Sequence, residues 1–119
     1  MTKLWEKSVD PAMITLGLAF YGRSYTVDDT KSCPSTGCIA TGFGAYGVCD
    51  DSPGYLSYDQ VLNSIEDDTA SPNLDDVAAV KWIAYENSKQ WLYYDDKETF
   101  AKKVDFANKH CIGGKMVSV

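Results

Sequence analysis

The sequence of 119 residues is acidic: 17 acidic and 11 basic side chains give a net charge of −6 at pH 7, and 45% of the residues are hydrophobic. This length suffices for one domain with a core, and the composition is that of a globular chain. The charge excludes nucleic acid and anionic membranes as expected partners, because both need a basic face, and no apolar run reaches the roughly 20 residues of a membrane-spanning helix.

The first predicted elements are the end of a helix and a buried strand. Residues 2–7 are predicted to close a helix, which Pro11 stops. Residues 13–20 form a short apolar run, which predicts a strand covered on both faces, as in parallel sheets. Tyr21 and Arg23 follow two positions apart, so we expect both side chains on the same side of an extended chain. A phenol ring beside a guanidinium suits a polar ligand with flat apolar faces, such as a sugar.

A half-exposed strand and a long loop come next. Tyr25 and Val27 alternate with polar residues, which indicates an antiparallel strand with one face in solvent. Residues 30–55 contain five glycines and two prolines, which predicts a loop without regular structure. Phe43 and Tyr46 in this loop either stack on sugar rings or pack beneath the loop.

Four cysteines pose a choice between disulfides and a metal site. Cys33, Cys38 and Cys49 lie in the long loop, and Cys111 lies far from them. The spacing lacks the Cys-x-x-Cys pair usual for zinc, and the only histidine, His110, adjoins Cys111, where neighbouring side chains diverge. We therefore expect disulfides, and neither a metal nor another cofactor. Disulfides indicate a secreted, extracellular protein; the four cysteines allow three pairings, and Cys111 can instead pair with a cysteine outside this chain.

A helix and a hairpin are predicted in the middle of the chain. Residues 56–65 have helical apolar spacing with Ser57 as the N-cap, and residues 70–73 form a turn. Residues 77–85 and 90–95 are predicted to be two paired strands. The more uniformly apolar side of the first strand, which we expect to face the core, carries Ala78, Val80, Trp82 and Ala84.

The last predicted elements are a helix and a short strand. Asp95 is the predicted N-cap, and Glu98 lies three residues later, as in a capping box. The helix ends at His110, and two glycines release the chain into a short buried strand at residues 116–117.

Three segments, taken in order, resemble the chitinases of glycoside hydrolase family 18. The first is Leu-Gly-Leu-Ala-Phe-Tyr-Gly-Arg-Ser-Tyr-Thr, at residues 16–26, which resembles the seventh barrel strand of that family. The second is Gln-Trp-Leu-Tyr-Tyr-Asp-Asp-Lys-Glu-Thr-Phe, at residues 90–100, and the third is Cys-Ile-Gly-Gly-Lys-Met-Val, at residues 111–117. The resemblance covers nearly the whole chain, and it looks closest to the fungal, killer-toxin-like branch.

The resemblance implies an α+β fold. In the family, an antiparallel sheet with packed helices is inserted between the seventh and eighth strands of a (β/α)₈ barrel, and this insertion domain forms one wall of the sugar-binding cleft. Residues 24–95 would be the insertion domain, and residues 1–23 and 96–119 would be barrel remnants. A complete barrel takes roughly 250 residues, so we expect a piece of a longer protein. Such remnants should bury poorly without their neighbours, and their edges are free to associate.

The family's catalytic acid is a Glu in an Asp-x-x-Asp-x-Asp-x-Glu motif, and no such motif occurs in this sequence. In the family the substrate's own acetamido group attacks the anomeric carbon. We therefore predict no catalytic residue here and no hydrolysis by this chain alone. Cleavage of β-1,4-linked N-acetylglucosamine polymers would belong to the parent chitinase. The alternative is a stand-alone, non-catalytic module that binds chitin oligosaccharides.

The resemblance also implies which residues contact substrate. Tyr21 and Arg23 match positions that reach into the cleft near the scissile bond, although a salt bridge from Arg23 to a carboxylate such as Asp59 is an alternative. Gln60 matches a position that is often Glu in animal relatives, where it contacts sugar, and Tyr58 in the same segment is predicted to bind substrate as well. The expected partners are chitin or its oligosaccharides and the rest of the barrel.

Ser118 departs from the family pattern. The family places a Trp here that floors the cleft beneath the central sugar. Its loss would remove on the order of 1–3 kcal/mol of stacking, by analogy with bases on aromatic side chains.

Overall fold

The computed structural model describes residues 8–28, 37–48, 51–68, 71–85 and 89–119. These residues form an α+β fold in which two α-helices accompany one parallel and one antiparallel β-sheet. In chain order the elements are β1 (Thr15–Ala19), β2 (Tyr21–Val27), β3 (Ala40–Phe43), β4 (Tyr55–Ser57), α1 (Tyr58–Asp68), β5 (Asn73–Asp75), β6 (Val80–Tyr85), β7 (Gln90–Tyr94), α2 (Lys97–Lys109) and β8 (Gly114–Ser118). The helix predicted at residues 2–7 lies outside the described residues.

The strands form two separate sheets. β1 and β8 pair in parallel, with Thr15 opposite Gly114 and Ala19 opposite Ser118. The other six strands form an antiparallel sheet in the order β3-β2-β7-β6-β5, and β4 also pairs with β2. Phe20 connects the two sheets, and its backbone N–H donates to the Ser118 carbonyl at 2.8 Å. The predicted buried strand and half-exposed strand are therefore consecutive strands of different sheets.

The core lies between the six-stranded sheet and α1. Its buried cluster consists of Val61, Ile83, Tyr85, Leu92 and Tyr94. The predicted core face of β6 is wrong, because Ile83 and Tyr85 are buried whereas Trp82 and Ala84 are half-buried on the opposite face. Both faces of this strand carry apolar residues. Composition favours the face of Trp82 and Ala84, which is not the face that α1 covers. The position of α1 over Leu92 decides which face is covered.

β1 and β8 are much more exposed than their apolar sequences predict. Leu18 is the one buried residue of β1, and Met116 and Val117 of β8 are 54% and 57% exposed. The prediction that both strands are buried is wrong for this chain, since each has only the other as a neighbour in its sheet. Phe20, which follows β1, stacks on Phe100 of α2, with the ring centroids 4.6 Å apart.

Two short edge strands, β3 and β5, were not predicted from the sequence. β3 lies inside the predicted loop at 30–55, and it is tied to β2 by the Thr26 hydroxyl, which donates to the Phe43 carbonyl at 2.9 Å. β5 begins at Asn73, the last residue of the predicted turn, and a turn at residues 76–79 delays the start of β6 to Val80. Both strands are short edge strands, so their own apolar pattern is weak.

The N-termini of both helices carry capping interactions. α1 begins one residue after Ser57, as predicted, and the Ser57 N–H donates to Gln60 Oε1 at 3.0 Å. The predicted cap of α2 is wrong by one residue, since Asp96 is the N-cap and forms a capping box with Thr99. Asp95 is instead buried, and both of its carboxylate oxygens lie 2.6 Å from Lys103 Nζ.

The cysteines are only partly described. Cys111 is an exposed free thiol, so none of the three pairings that use all four cysteines holds in this chain. Cys38 is disulfide-bonded, but Cys33 and Cys49 lie outside the described residues, and the pairing stays a prediction. Within the described ranges, no group of three or more His, Cys, Asp or Glu side chains is placed to hold a metal ion.

Tyr94 makes the core sensitive to alkaline pH. Burial, with a smaller contribution from the Asp96 carboxylate, raises the pKa of Tyr94 from 10.0 to about 12. Because the folded state holds this proton more tightly than the unfolded state, the stabilisation is complete below about pH 10 and is lost as the pH rises through about 12. We expect Tyr94→Phe to remove part of the fall in unfolding free energy between about pH 9 and about pH 12, measured by urea unfolding. An undiminished fall in the variant would contradict this role.

Candidate functional site

The face of the sheet opposite α1 carries the predicted site residues of β2. Gly22 lies against the core, and a Cβ at this position would be 2.7 Å from Val61 Cγ2 and 2.8 Å from Leu92 Cδ1. Because side chains alternate along a strand, Tyr21 and Arg23 project from the other face, where both are half-buried. The prediction that these two side chains lie on the same side is confirmed.

Arg23 lies in a cluster with two tyrosine rings. Its Cζ is 5.3 Å from the ring centre of Tyr21 and 5.1 Å from that of Tyr55, and the two rings are 5.1 Å apart. Both distances are within the range of a cation–π contact. Tyr55 belongs to β4 and is directly opposite Arg23 in the antiparallel pairing of β2 with β4. This register places its ring beside the guanidinium. The rings fix the guanidinium without using its N–H donors.

The guanidinium of Arg23 forms no ion pair with any described residue. The alternative predicted from the sequence, a salt bridge to Asp59, is not formed. Arg23 is also the only arginine in the sequence. A guanidinium carries five donors in a planar fork, so this side chain is open to oxygen acceptors of a ligand.

Tyr93 extends the cluster on the other side of Arg23. It pairs with Arg23 across β2 and β7, and its ring lies 6.1 Å from that of Tyr25 with an interplanar angle of 15°. Burial raises the pKa of Tyr93, the neighbouring Tyr25 phenol adds to the rise, and Arg23 opposes it. Tyr93 is therefore neutral at physiological pH. The cluster offers ring faces, phenols and one positive charge, which equips it for binding.

The structure does not bring Tyr58 and Gln60 to this face. Tyr58 packs against the buried cluster beneath α1. Gln60 caps the first turn of α1 through Ser57, and it also lines a cavity on the helix side of the sheet. Two of the four predicted substrate-binding residues thus lie together, and roles for the other two stay predictions.

The cavity beside Gln60 has a volume of about 410 Å³ and lies between α1 and the segment at residues 44–48. This segment is anchored to the sheet, since the Gly44 N–H donates to the Ser24 carbonyl at 2.9 Å and the Ala45 N–H donates to Gln90 Oε1 at 3.1 Å. Tyr46 lines the cavity and is 67% exposed. Phe43 is 68% exposed on the opposite face, beside Tyr25, so neither aromatic side chain is packed beneath the loop.

Ser118 lies close to the start of β2. It ends β8, and its carbonyl accepts from Phe20, the residue before Tyr21. Its side chain is a hydroxymethyl group, which supplies no ring for stacking. Among the described helices, none has the length and apolarity that crossing a membrane requires.

Tyr55 and Tyr93 are the site residues that the sequence did not reveal. Each is contributed by a strand distant in sequence from β2, and the pairing register alone places them beside Arg23. The one signal for Tyr93 in the sequence is an aromatic residue within the predicted strand at residues 90–95. Tyr55 lies at the end of the predicted loop, where no strand was predicted.

Comparison with known proteins identifies related sequences. A profile of the glycosyl hydrolases family 18 matches residues 1–117. A class V chitinase of Lotus japonicus is 31% identical over 92% of this chain, and chitotriosidase-1 of Mus musculus is 32% identical over 98%. The chain spans about a quarter of the length of these curated relatives, 26% and 24% respectively.

A solved structure has the same fold as this chain. It is a family 18 chitinase from Cycas revoluta in complex with (GlcNAc)3, and it superposes with a TM-score of 0.77 at 23% sequence identity. The match covers 98% of this chain and 31% of that chain. This chain therefore corresponds to part of a larger fold.

Proposed function

Because this chain belongs to the glycosyl hydrolases family 18, we propose that it is the part of a chitinase-like protein that holds chitin oligosaccharides through Tyr21 and Arg23. The observation that carries the proposal is the Arg23 guanidinium, placed against the rings of Tyr21 and Tyr55 with no carboxylate partner among the described residues. In this role the open face of the sheet is a wall of the substrate cleft.

The chemistry of the cluster fits an N-acetylated sugar. A pyranose ring has apolar C–H faces that pack on tyrosine, and its hydroxyl and acetamido oxygens accept hydrogen bonds from a guanidinium. A neutral sugar brings no anion to Arg23. The guanidinium likewise has no ion-pair partner among the described residues. One curated relative is named a class V chitinase, and the Cycas revoluta structure contains (GlcNAc)3; both support this ligand class.

We assign hydrolysis to the longer protein and substrate contact to this chain. The sequence lacks the Asp-x-x-Asp-x-Asp-x-Glu motif of the family's acid. Residues 24–95 would be the insertion domain, and residues 1–23 and 96–119 would belong to the barrel. The parallel pairing of β1 with β8 and the exposure of their apolar side chains support this division, since barrel neighbours would cover them.

Two finer assignments are part of the proposal. The segments at residues 16–26, 90–100 and 111–117 favour the fungal, killer-toxin-like branch, while the relatives compared above come from a plant and a mouse. The cysteine spacing favours secretion.

The second candidate function is a stand-alone chitin-binding module without activity. It is favoured by the core of the six-stranded sheet, because Val61, Ile83 and Leu92 are fully buried by residues of this chain alone. Such a module would bind the same sugars through the same cluster. It would need no further part of a barrel.

Removing the guanidinium tests the proposed function. We expect Arg23→Ala to weaken binding of chitin trisaccharide by about tenfold or more, because hydrogen bonds to a charged group are worth roughly 1.5–3 kcal/mol. Arg23→Lys should restore only part of the affinity, since lysine keeps the charge and loses the planar fork. Titration followed by tryptophan fluorescence suits this measurement, as Trp82 is on the same face as the cluster.

Lys115→Ala is the matched control, since it removes an exposed cation from β8 and should leave the affinity unchanged. Equal affinities of Arg23→Ala and the parent chain would contradict the role of Arg23. If the parent chain bound no sugar at millimolar concentration, the stand-alone module would be eliminated.

A further inference from the structure

We propose that the binding site is a strip across the open face of the six-stranded sheet, and that it takes a linear, neutral glycan of several sugar units. This inference rests on the proposed function, because the strip starts at the Arg23 cluster and lengthens it. The strip consists of one residue from each of five strands, in the order Tyr55, Arg23, Tyr93, Trp82 and Asn73.

The strand register places these five residues in one row. Arg23 is opposite Tyr55 on one side and opposite Tyr93 on the other. Tyr93 is in turn opposite Trp82, which is opposite Asn73. Directly opposite residues of antiparallel strands share a face, so the row is continuous. With neighbouring strands about 4.8 Å apart, four steps extend over roughly 19 Å.

A second row of aromatic side chains supports the strip. The ring of Trp91 lies 5.8 Å from that of Trp82 and 6.1 Å from that of Tyr93, and Tyr25 lies 6.1 Å from Tyr93. Contacts of this kind hold aromatic side chains in place. The strip residues are therefore positioned before a ligand arrives, which lowers the ordering cost of binding.

The charges around the strip favour a neutral glycan over a polyanion. Arg23 is its one charged side chain, and burial raises the pKa of the Tyr93 phenol above its ordinary value. Asp75 shares the face near the Asn73 end, but its Oδ1 accepts the backbone N–H groups of Val77 and Ala78. The net charge of −6 would oppose an acidic polymer. Ring faces, phenols and a terminal amide match the C–H faces and hydroxyl edges of successive uncharged sugars.

The test compares two chain lengths of one sugar by calorimetry. We expect the parent chain to bind chitin hexasaccharide at least about tenfold more tightly than chitin disaccharide. Trp82→Leu, which keeps apolar bulk and removes the ring, should cost about tenfold for the hexasaccharide, equivalent to about 1.4 kcal/mol. It should change affinity for the disaccharide by less than about twofold. Tyr46→Leu, which removes an exposed ring on the other side of the sheet, should change neither affinity.

A second variant guards against misfolding. Trp82 packs on Trp91, so near-ultraviolet circular dichroism should show whether Trp82→Leu stays folded. If that variant unfolds, Asn73→Ala at the exposed end of the strip replaces it. Asn73→Ala should lower the affinity for the hexasaccharide and leave the affinity for the disaccharide unchanged. Equal losses for both sugars in a folded variant, or equal affinities of the parent chain for both sugars, would overturn the strip. Unchanged binding of both sugars by Arg23→Ala would instead overturn the proposed function.

Discussion

Replacing Leu92 by alanine is expected to lower the free energy of unfolding by about 2–5 kcal/mol. Leu92 is fully buried in the cluster with Val61 and Ile83. Its strand, β7, is hydrogen-bonded to β2 on one side and to β6 on the other, so the backbone cannot move in to fill the cavity. Because a domain has only about 5–15 kcal/mol of stability, this variant should be close to unfolding. Urea unfolding followed by far-ultraviolet circular dichroism measures the loss.

Leu62→Ala is the matched control for Leu92→Ala. Leu62 is 41% exposed on α1, and alanine is the best helix former, so we expect a loss below about 1 kcal/mol. A loss of that small size for Leu92→Ala would contradict the position of the core. Because Leu92 Cδ1 also lies where a Cβ at Gly22 would be, Leu92→Ala should loosen β2 and weaken sugar binding.

Replacing Lys103 by methionine should cost about 3–5 kcal/mol, since it leaves the carboxylate of Asp95 buried without its cation. Asp95 is 5% exposed, and both of its oxygens lie 2.6 Å from Lys103 Nζ. Methionine keeps most of the apolar stem and removes the charge. The pair joins the end of β7 to the middle of α2, so we expect the link between the six-stranded sheet and α2 to weaken first. Urea unfolding at about pH 7 gives the loss.

The chain offers an exposed ion pair as the control for Lys103→Met. Lys109 and Asp105 are one helical turn apart on α2, with side chains 70% and 61% exposed, so Lys109→Met should cost about 0.3–0.5 kcal/mol. Adding Asp95→Asn to Lys103→Met should recover much of the stability, because the buried charge is gone. Similar losses for Lys103→Met and Lys109→Met would show that Asp95 is solvated.

Strands and helices could be predicted best where the spacing of apolar residues clearly followed either the strand period or the helix period. β7 and α2 lie almost where the apolar spacing placed them. Asp95 and Asp96 are both suitable caps, and only the burial of the first beside Lys103 decides between them. The faces of β6 could not be ranked by composition, since Trp82 and Ile83 are both apolar and the choice depends on where α1 packs.

The site was predictable only within one strand. The spacing of Tyr21 and Arg23 determines that they share a face, because side chains alternate along any extended chain. Tyr55 and Tyr93 reach the same place through pairing between distant segments, which no local pattern encodes. Gln60 lies elsewhere, since its Oε1 accepts the Ser57 N–H at the start of α1, and its predicted contact with substrate stays a prediction.

The pairing of β2 with β7 brings together the points at which the chain enters and leaves the six-stranded sheet. The chain enters the sheet after Phe20 and leaves it at Asp95, and Arg23 and Tyr93 near these points are directly opposite each other. A unit whose entry and exit points are adjacent can be lengthened, shortened or exchanged without stretching the strands that flank it. The size and the surface residues of the six-stranded sheet can therefore change while β1 and β8 keep their register.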